Sequence, residues 1–157
     1  MFGIVDRLEI FNVISLYSHS FDEGQAEAWA DLFTNDAVFT TQLKFAMGGS
    51  SPGPTEVRGR EALLDVARSW RQEHRPDFGQ ARHLITNLAI LEQTEESSDV
   101  AAFAGLVVTG PDGETAFFSP GRYTGTLVKR PTSWKIHRWH FDWDADADKN
   151  LGRHWEF

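Results

Sequence analysis

The sequence predicts a single α+β domain, with helices first and a strongly curved antiparallel sheet after them. Three observations lead there. Apolar residues recur at helical spacing early in the chain, runs of strand character fill its second half, and those runs are joined by short turns rather than crossovers. With 157 residues, 41% of them hydrophobic, the chain is long enough for one well-buried core.

Residues 4–22 read as the first helix, because Ile10, Ile14, Tyr17 and Phe21 fall on one stripe and Gly24 is placed to end it. A shorter helix over about 25–33 puts Trp29, Leu32 and Phe33 on one face, and Asn35-Asp36 stops it. Residues 37–41 then read as a short strand. The Gly/Ser/Pro run 48–54 is a loop, open to two readings: a lid beside a pocket, or a plain surface insertion. A third helix runs from Gly59 to about Glu73, with Leu63, Ala67 and Trp70 along one side. Four long strands follow, over 83–91, 99–109, 115–129 and 134–143. Gly110 to Gly113 forms a hairpin turn, and a bend is expected near Pro120-Gly121. The domain spans residues 1–143, and 144–157 form an acidic, then aromatic, tail expected to be flexible or to dock as an arm.

Composition narrows the function. A net charge of −8 without any Lys/Arg run argues against nucleic acid and anionic membrane as partners. The absence of cysteine removes disulfides, thiolate nucleophiles and Cys-based zinc sites, and it is compatible with the cytoplasm. No signal peptide and no membrane-spanning apolar run is evident. Phosphate loops, the Gly-x-Ser-x-Gly elbow and metal-ligand clusters are missing. The acidic run 142–148 lacks both the turn Gly and the final Glu of a calcium loop. Neither a metal nor a cofactor is therefore expected, and acid–base chemistry or simple binding remains.

Two polar residues stand in apolar surroundings. Asp22 closes the first helix, and His83 opens a strand; brought together by the fold, they would form a proton-transfer dyad. Alone, each has an ordinary alternative: a solvated carboxylate at a helix end, and a structural histidine on a strand. Period-2 alternation puts Ile85, Asn87 and Ala89 on the face of His83, and His140 on the face of Trp134, Ile136, Arg138 and Asp142. His137 and His140 then face opposite ways, so they do not make a metal pair.

Several segments together resemble the SnoaL-like proteins of the nuclear transport factor 2-like superfamily. This group also holds scytalone dehydratase, hexachlorocyclohexane dehydrochlorinase and the small subunits of ring-hydroxylating dioxygenases. The matching segments are Tyr17 to Asp22, Trp29 to Phe39, Gly59 to Leu63, Arg82 to Asn87, Gly121-Arg122-Tyr123 and Trp134-Lys135-Ile136. The resemblance implies a cone-shaped barrel of N-terminal helices packed in the curved sheet, one internal pocket, and a homodimer or homotrimer. It also implies that Asp22 and His83 are the catalytic pair. Two features depart from scytalone dehydratase: Phe21 stands where that enzyme has Tyr before its Asp, and its second His has no match between Val100 and Thr109.

The expected function is acid–base catalysis, without metal or cofactor, on a hydrophobic cyclic or polyketide-type metabolite. Cyclisation or isomerisation is the leading reaction. Tyr17, Asn87, Tyr123 and His140 are the candidates to orient polar substrate groups, and Trp29, Phe33, Phe39 and Phe103 to supply apolar walls. The alternatives are a dehydratase or dehydrohalogenase with the same dyad, and a non-catalytic binding or oxygenase small-subunit module.

Overall fold

The structure is a computed structural model that describes residues 3–41 and 55–144. The loop 48–54, the Trp70 side chain and the tail beyond Asp144 lie outside the described residues. Helix α1 covers Ile4–Asp22, α2 covers Ala26–Ala30 and α3 covers Arg60–Phe78. The strands are β1 (Phe33–Thr41), β2 (Thr55–Arg58), β3 (Gln80–Gln93), β4 (Ser97–Thr109), β5 (Thr115–Lys129) and β6 (Trp134–Trp143). They form one six-stranded sheet in the order β2-β1-β6-β5-β4-β3. The meander β3 to β6 is antiparallel as expected, whereas β1 joins β6 in parallel, so the sheet is mixed. It is curved but not closed into a barrel: β2 and β3 are its two edges. No helix among the described residues is long and apolar enough to cross a membrane.

Local chemistry accounts for the boundaries. Gly24 takes φ 69°, and its N–H bonds the Phe21 carbonyl, which ends α1 right after Asp22. The chain then turns at once into α2. The side chain of Asp6 accepts from Lys129 Nζ at 2.6 Å and from Trp134 Nε1 at 2.9 Å, tying the start of α1 to the far end of the sheet. Between these two anchors, Ile10, Val13, Ile14, Tyr17 and Ser20 are buried against the sheet.

Irregularities in the ladders, among them three in β3 and β6, bend the sheet around α1. In β3 the register with β4 shifts between Thr86 and Ala89, and Asn87 sits there at φ 54°. A second shift follows between Ile90 and Glu92. In β6 the register with β5 skips His137, because Leu127 faces Ile136 and Thr126 faces Arg138. Each inserted residue increases the local twist and reverses which alternate residues face inward. Thus Ile85 packs on the core, and beyond the bulge Leu88 and Ile90 do so instead of Asn87 and Ala89. Likewise Trp134 and Ile136 are buried, and beyond the bulge Trp139 and Phe141 are, not Arg138 and His140. The bend expected near Pro120-Gly121 is present as a register shift opposite Ala104 to Leu106.

Asparagine suits the left-handed backbone at position 87, where a β-branched residue is strained. Asn87→Gly is expected to leave the unfolding free energy within about 0.5 kcal/mol, and Asn87→Val to lower it by about 1–2 kcal/mol, both read by urea denaturation.

Candidate active site

The two anchors of the site come from elements that end or begin at that point: Asp22 is the last residue of α1, and His83 lies near the start of β3. Across 61 positions of sequence they meet twice. Asp22 Oδ1 lies 2.5 Å from His83 Nδ1, and Asp22 Oδ2 accepts the backbone N–H of His83 at 2.7 Å. The carboxylate is thereby held at both oxygens. Its side chain is 5% exposed, while that of His83 is 19% exposed. Gln80 Nε2 donates to the Asp22 carbonyl at 3.3 Å, and Arg82 pairs with Glu23 at 2.7 Å, so residues on either side of the dyad brace the same junction.

This geometry assigns the tautomer of the neutral imidazole. An ionised carboxylate only accepts, so Nδ1 carries the proton and Nε2 keeps its lone pair. Nε2 has no hydrogen-bond partner among the described residues. The Phe21 ring stands edge-on to the imidazole, with centroids 5.5 Å apart at 87°. This arrangement can act as a proton acceptor at Nε2, with the imidazolium so formed lying against Asp22.

Behind the dyad lies an aromatic interior. Tyr17 contacts Trp29 at 5.6 Å, Phe33 at 6.1 Å, Tyr123 at 5.7 Å and Trp139 at 5.7 Å between centroids. Tyr123 stacks on Trp139 at 5.0 Å and touches Phe141 at 4.5 Å. Burial is the main reason the Tyr17 phenol is held well above the ordinary tyrosine range; the Tyr123 phenol and the charge of Asp22 push the same way. Tyr123 is pushed up to about 12, again mainly by burial. Both phenols are therefore protonated donors at neutral pH. Trp29 Nε1 is also buried, without an acceptor among the described residues.

Of the residues singled out from the sequence, Tyr17, Trp29, Phe33 and Tyr123 are buried in this interior, and Phe39 packs against it. Three are not. Asn87 is exposed, because the bulge it occupies turns it away from the His83 face. Phe103 is 58% exposed: it pairs with Thr86 and Arg122 on the outer face of the sheet, while its neighbours Ala102 and Ala104 point inward. His140 is on the outer face too, bonded to Thr40 and Asp142, because of the extra residue at His137. His137 meets Thr34 Oγ1 at 3.2 Å. Among the described residues no group of three or more His, Cys, Asp or Glu could hold a metal ion. Sequence reasoning missed Phe21 as the ring against His83, and Trp139 and Phe141 as interior residues. The signal for the last two was present, since the apolar positions of β6 change parity between Ile136 and Trp139.

Comparison with known proteins agrees with this architecture. The family model for the SnoaL-like domain matches residues 4–140. The small subunit of anthranilate 1,2-dioxygenase from Burkholderia cepacia is 27% identical over 124 residues, covering 78% of this chain and 77% of that protein. Among solved structures, a candidate aromatic-ring-hydroxylating dioxygenase β subunit from Novosphingobium aromaticivorans superposes with a TM-score of 0.73 at 19% identity, over 90% of this chain and 91% of that one. A candidate scytalone dehydratase from the same organism gives 0.72 at 20% identity, over 90% and 86%. The two structural likenesses concern the fold alone.

The protein has two tyrosines, Tyr17 and Tyr123, so tyrosinate absorbance reads this interior alone. With both folded-state values raised above the unfolded 10.0, the stability they carry is full below pH 10 and is lost as the pH rises above it, through about 12 for Tyr123. A pH titration at about 295 nm is expected to stay flat past pH 10 and then rise together with unfolding; a rise centred on pH 10 in folded protein would contradict the burial. The match of the family model over residues 4–140 makes the protein a member of the SnoaL-like family.

Proposed function

We propose that the protein is an acid–base enzyme in which His83 moves a proton on a hydrophobic, carbonyl-bearing cyclic or polyketide-type metabolite, with no metal or cofactor taking part. The observation that carries this reading is the double contact of Asp22 with His83, at 2.5 and 2.7 Å. Nε2 takes a proton from a carbon or hydroxyl made acidic by a neighbouring carbonyl. Asp22 holds the ring in place and stabilises the imidazolium that forms. The proton then returns at another position of the same molecule, which gives isomerisation, or follows closure of a new bond, which gives cyclisation. Tyr17 and Tyr123, both kept protonated, share a hydrogen bond, so one of the two phenol protons remains on offer to a carbonyl or enolate oxygen.

Water or halide loss by the same dyad is the second catalytic reading. It needs a leaving group that is protonated or solvated, and Phe21 together with the small residues Ala101, Ala102 and Ala104 offers no acid for it on the neighbouring positions. We place the work in the cytoplasm, in keeping with an acidic chain free of cysteine.

A non-catalytic reading is favoured by a different observation, the 27% identity to a dioxygenase small subunit over about three-quarters of both chains. The outer sheet face supports association of some kind: Leu84, Phe103 and Phe117 are 46%, 58% and 61% exposed there. A homodimer or homotrimer would cover part of this surface.

Exchange of the α-protons of enolisable cyclic ketones with deuterated water, followed by proton NMR, tests the catalytic reading on simple model compounds, whatever the physiological substrate. The wild type is expected to accelerate exchange, and His83→Ala and Asp22→Asn each to lower the rate by about 10²-fold or more while the protein stays folded. Equal exchange in all three proteins would remove the mechanism. Stable co-purification with a large oxygenase subunit would favour the assembly reading in its place.

A further inference from the structure

An open groove of about 490 Å³ lies on the outer face of the sheet, away from the dyad, with Val38, Thr40, Leu91, Thr124, Arg138 and His140 among its lining residues. Its charges balance in an uneven way. Glu56 and Arg58 pair with each other at 2.5 Å, Asp99 accepts the Thr126 hydroxyl at 2.7 Å, and Asp142 pairs with His140 Nε2 at 2.9 Å. Every carboxylate in or beside the groove thus has a partner. Arg138 has none among the described residues, although the β1–β6 and β5–β6 ladders place it directly between Val38 and Thr126. Thr40 is occupied by His140 Nδ1 at 2.6 Å, and the Thr124 hydroxyl, opposite His140 on β5, also lines the groove. Leu91, pushed outward by the second bulge of β3 and 57% exposed, and Val38 supply the apolar surface.

We propose that this groove is a second binding site, for a small carboxylate with a flat apolar body, separate from the proposed catalytic dyad. An unpaired guanidinium presents a planar fork that matches a carboxylate, and aliphatic side chains flank the place where the body would lie. The volume is within the range of small-molecule sites. Affinity is modest because the groove is open, and it acts through Arg138 first and Thr124 second.

Benzoate is the probe, with benzamide and inorganic phosphate as controls, read by the arginine Nε–H and backbone amide signals in ¹⁵N NMR. Wild-type protein is expected to give saturable shifts at Arg138 and neighbouring β1, β5 and β6 amides with benzoate, and none with benzamide or phosphate. Arg138→Gln weakens binding by roughly tenfold or more, and Arg138→Lys, which keeps charge without the fork, falls between the two. His83→Ala leaves the response intact. Four results would overturn the proposal: no saturable shift, equal binding by folded Arg138→Gln, phosphate acting as well as benzoate, or a response that disappears in His83→Ala. None of these depends on whether the dyad is catalytic.

Discussion

The carboxylate of Asp22 spends both of its oxygens on one residue, and the arrangement of the site follows from that constraint. One oxygen holds the imidazole of His83 and the other holds its backbone N–H, at 2.5 and 2.7 Å. The first contact sets the tautomer; the second sets where β3 begins relative to the end of α1. A buried carboxylate left without partners is strongly unfavourable, so any displacement of β3 along α1 exposes that penalty. Gln80, Arg82 and Glu23 reinforce the same junction with neutral and ionic bonds at its edge.

The interior behind the dyad has a consistent chemical character. Its rings, Tyr17, Trp29, Phe33, Tyr123, Trp139 and Phe141, meet mostly at tilted or edge-on angles, with one stacked pair, Tyr123 on Trp139. Edge-on and offset geometries are those that aromatic quadrupoles favour. Its polar atoms are the two phenols and the Trp29 and Trp139 indole N–H groups, and His83 Nε2 lies at its edge with a lone pair, both oxygens of Asp22 being taken. The proposed proton transfer draws on that lone pair.

How much of this was legible in the sequence depended on local periodicity. The first helix was readable residue by residue, because its stripe and the Gly24 stop are local signals, and both hold. The pairing of Asp22 with His83 rested on resemblance, since no local rule reaches across the chain. Two of the failures share one cause. Asn87 and His140 were assigned to faces by strict alternation, and a single inserted residue in β3 and another in β6 reversed the faces beyond them. The apolar residues did record the reversal, Ile85 giving way to Leu88 and Ile136 to Trp139. Phe103 failed differently: its alternation is regular, but a large apolar side chain on the outer face was mistaken for a wall of the interior. The β2 strand and the parallel β1–β6 pair had no signal in the chain, because both depend on tertiary pairing across segments far apart.

The claim at the centre of this account is that Asp22 fixes His83 with its proton on Nδ1 and a free lone pair on Nε2. Long-range ¹H–¹⁵N NMR of the histidine side chains, at a pH where the ring is neutral, reads this directly. The account predicts for His83 a protonated Nδ1 and an unprotonated Nε2, with that preference lost in Asp22→Asn. A neutral His83 carrying its proton on Nε2, or a tautomer indifferent to Asp22→Asn, would contradict it.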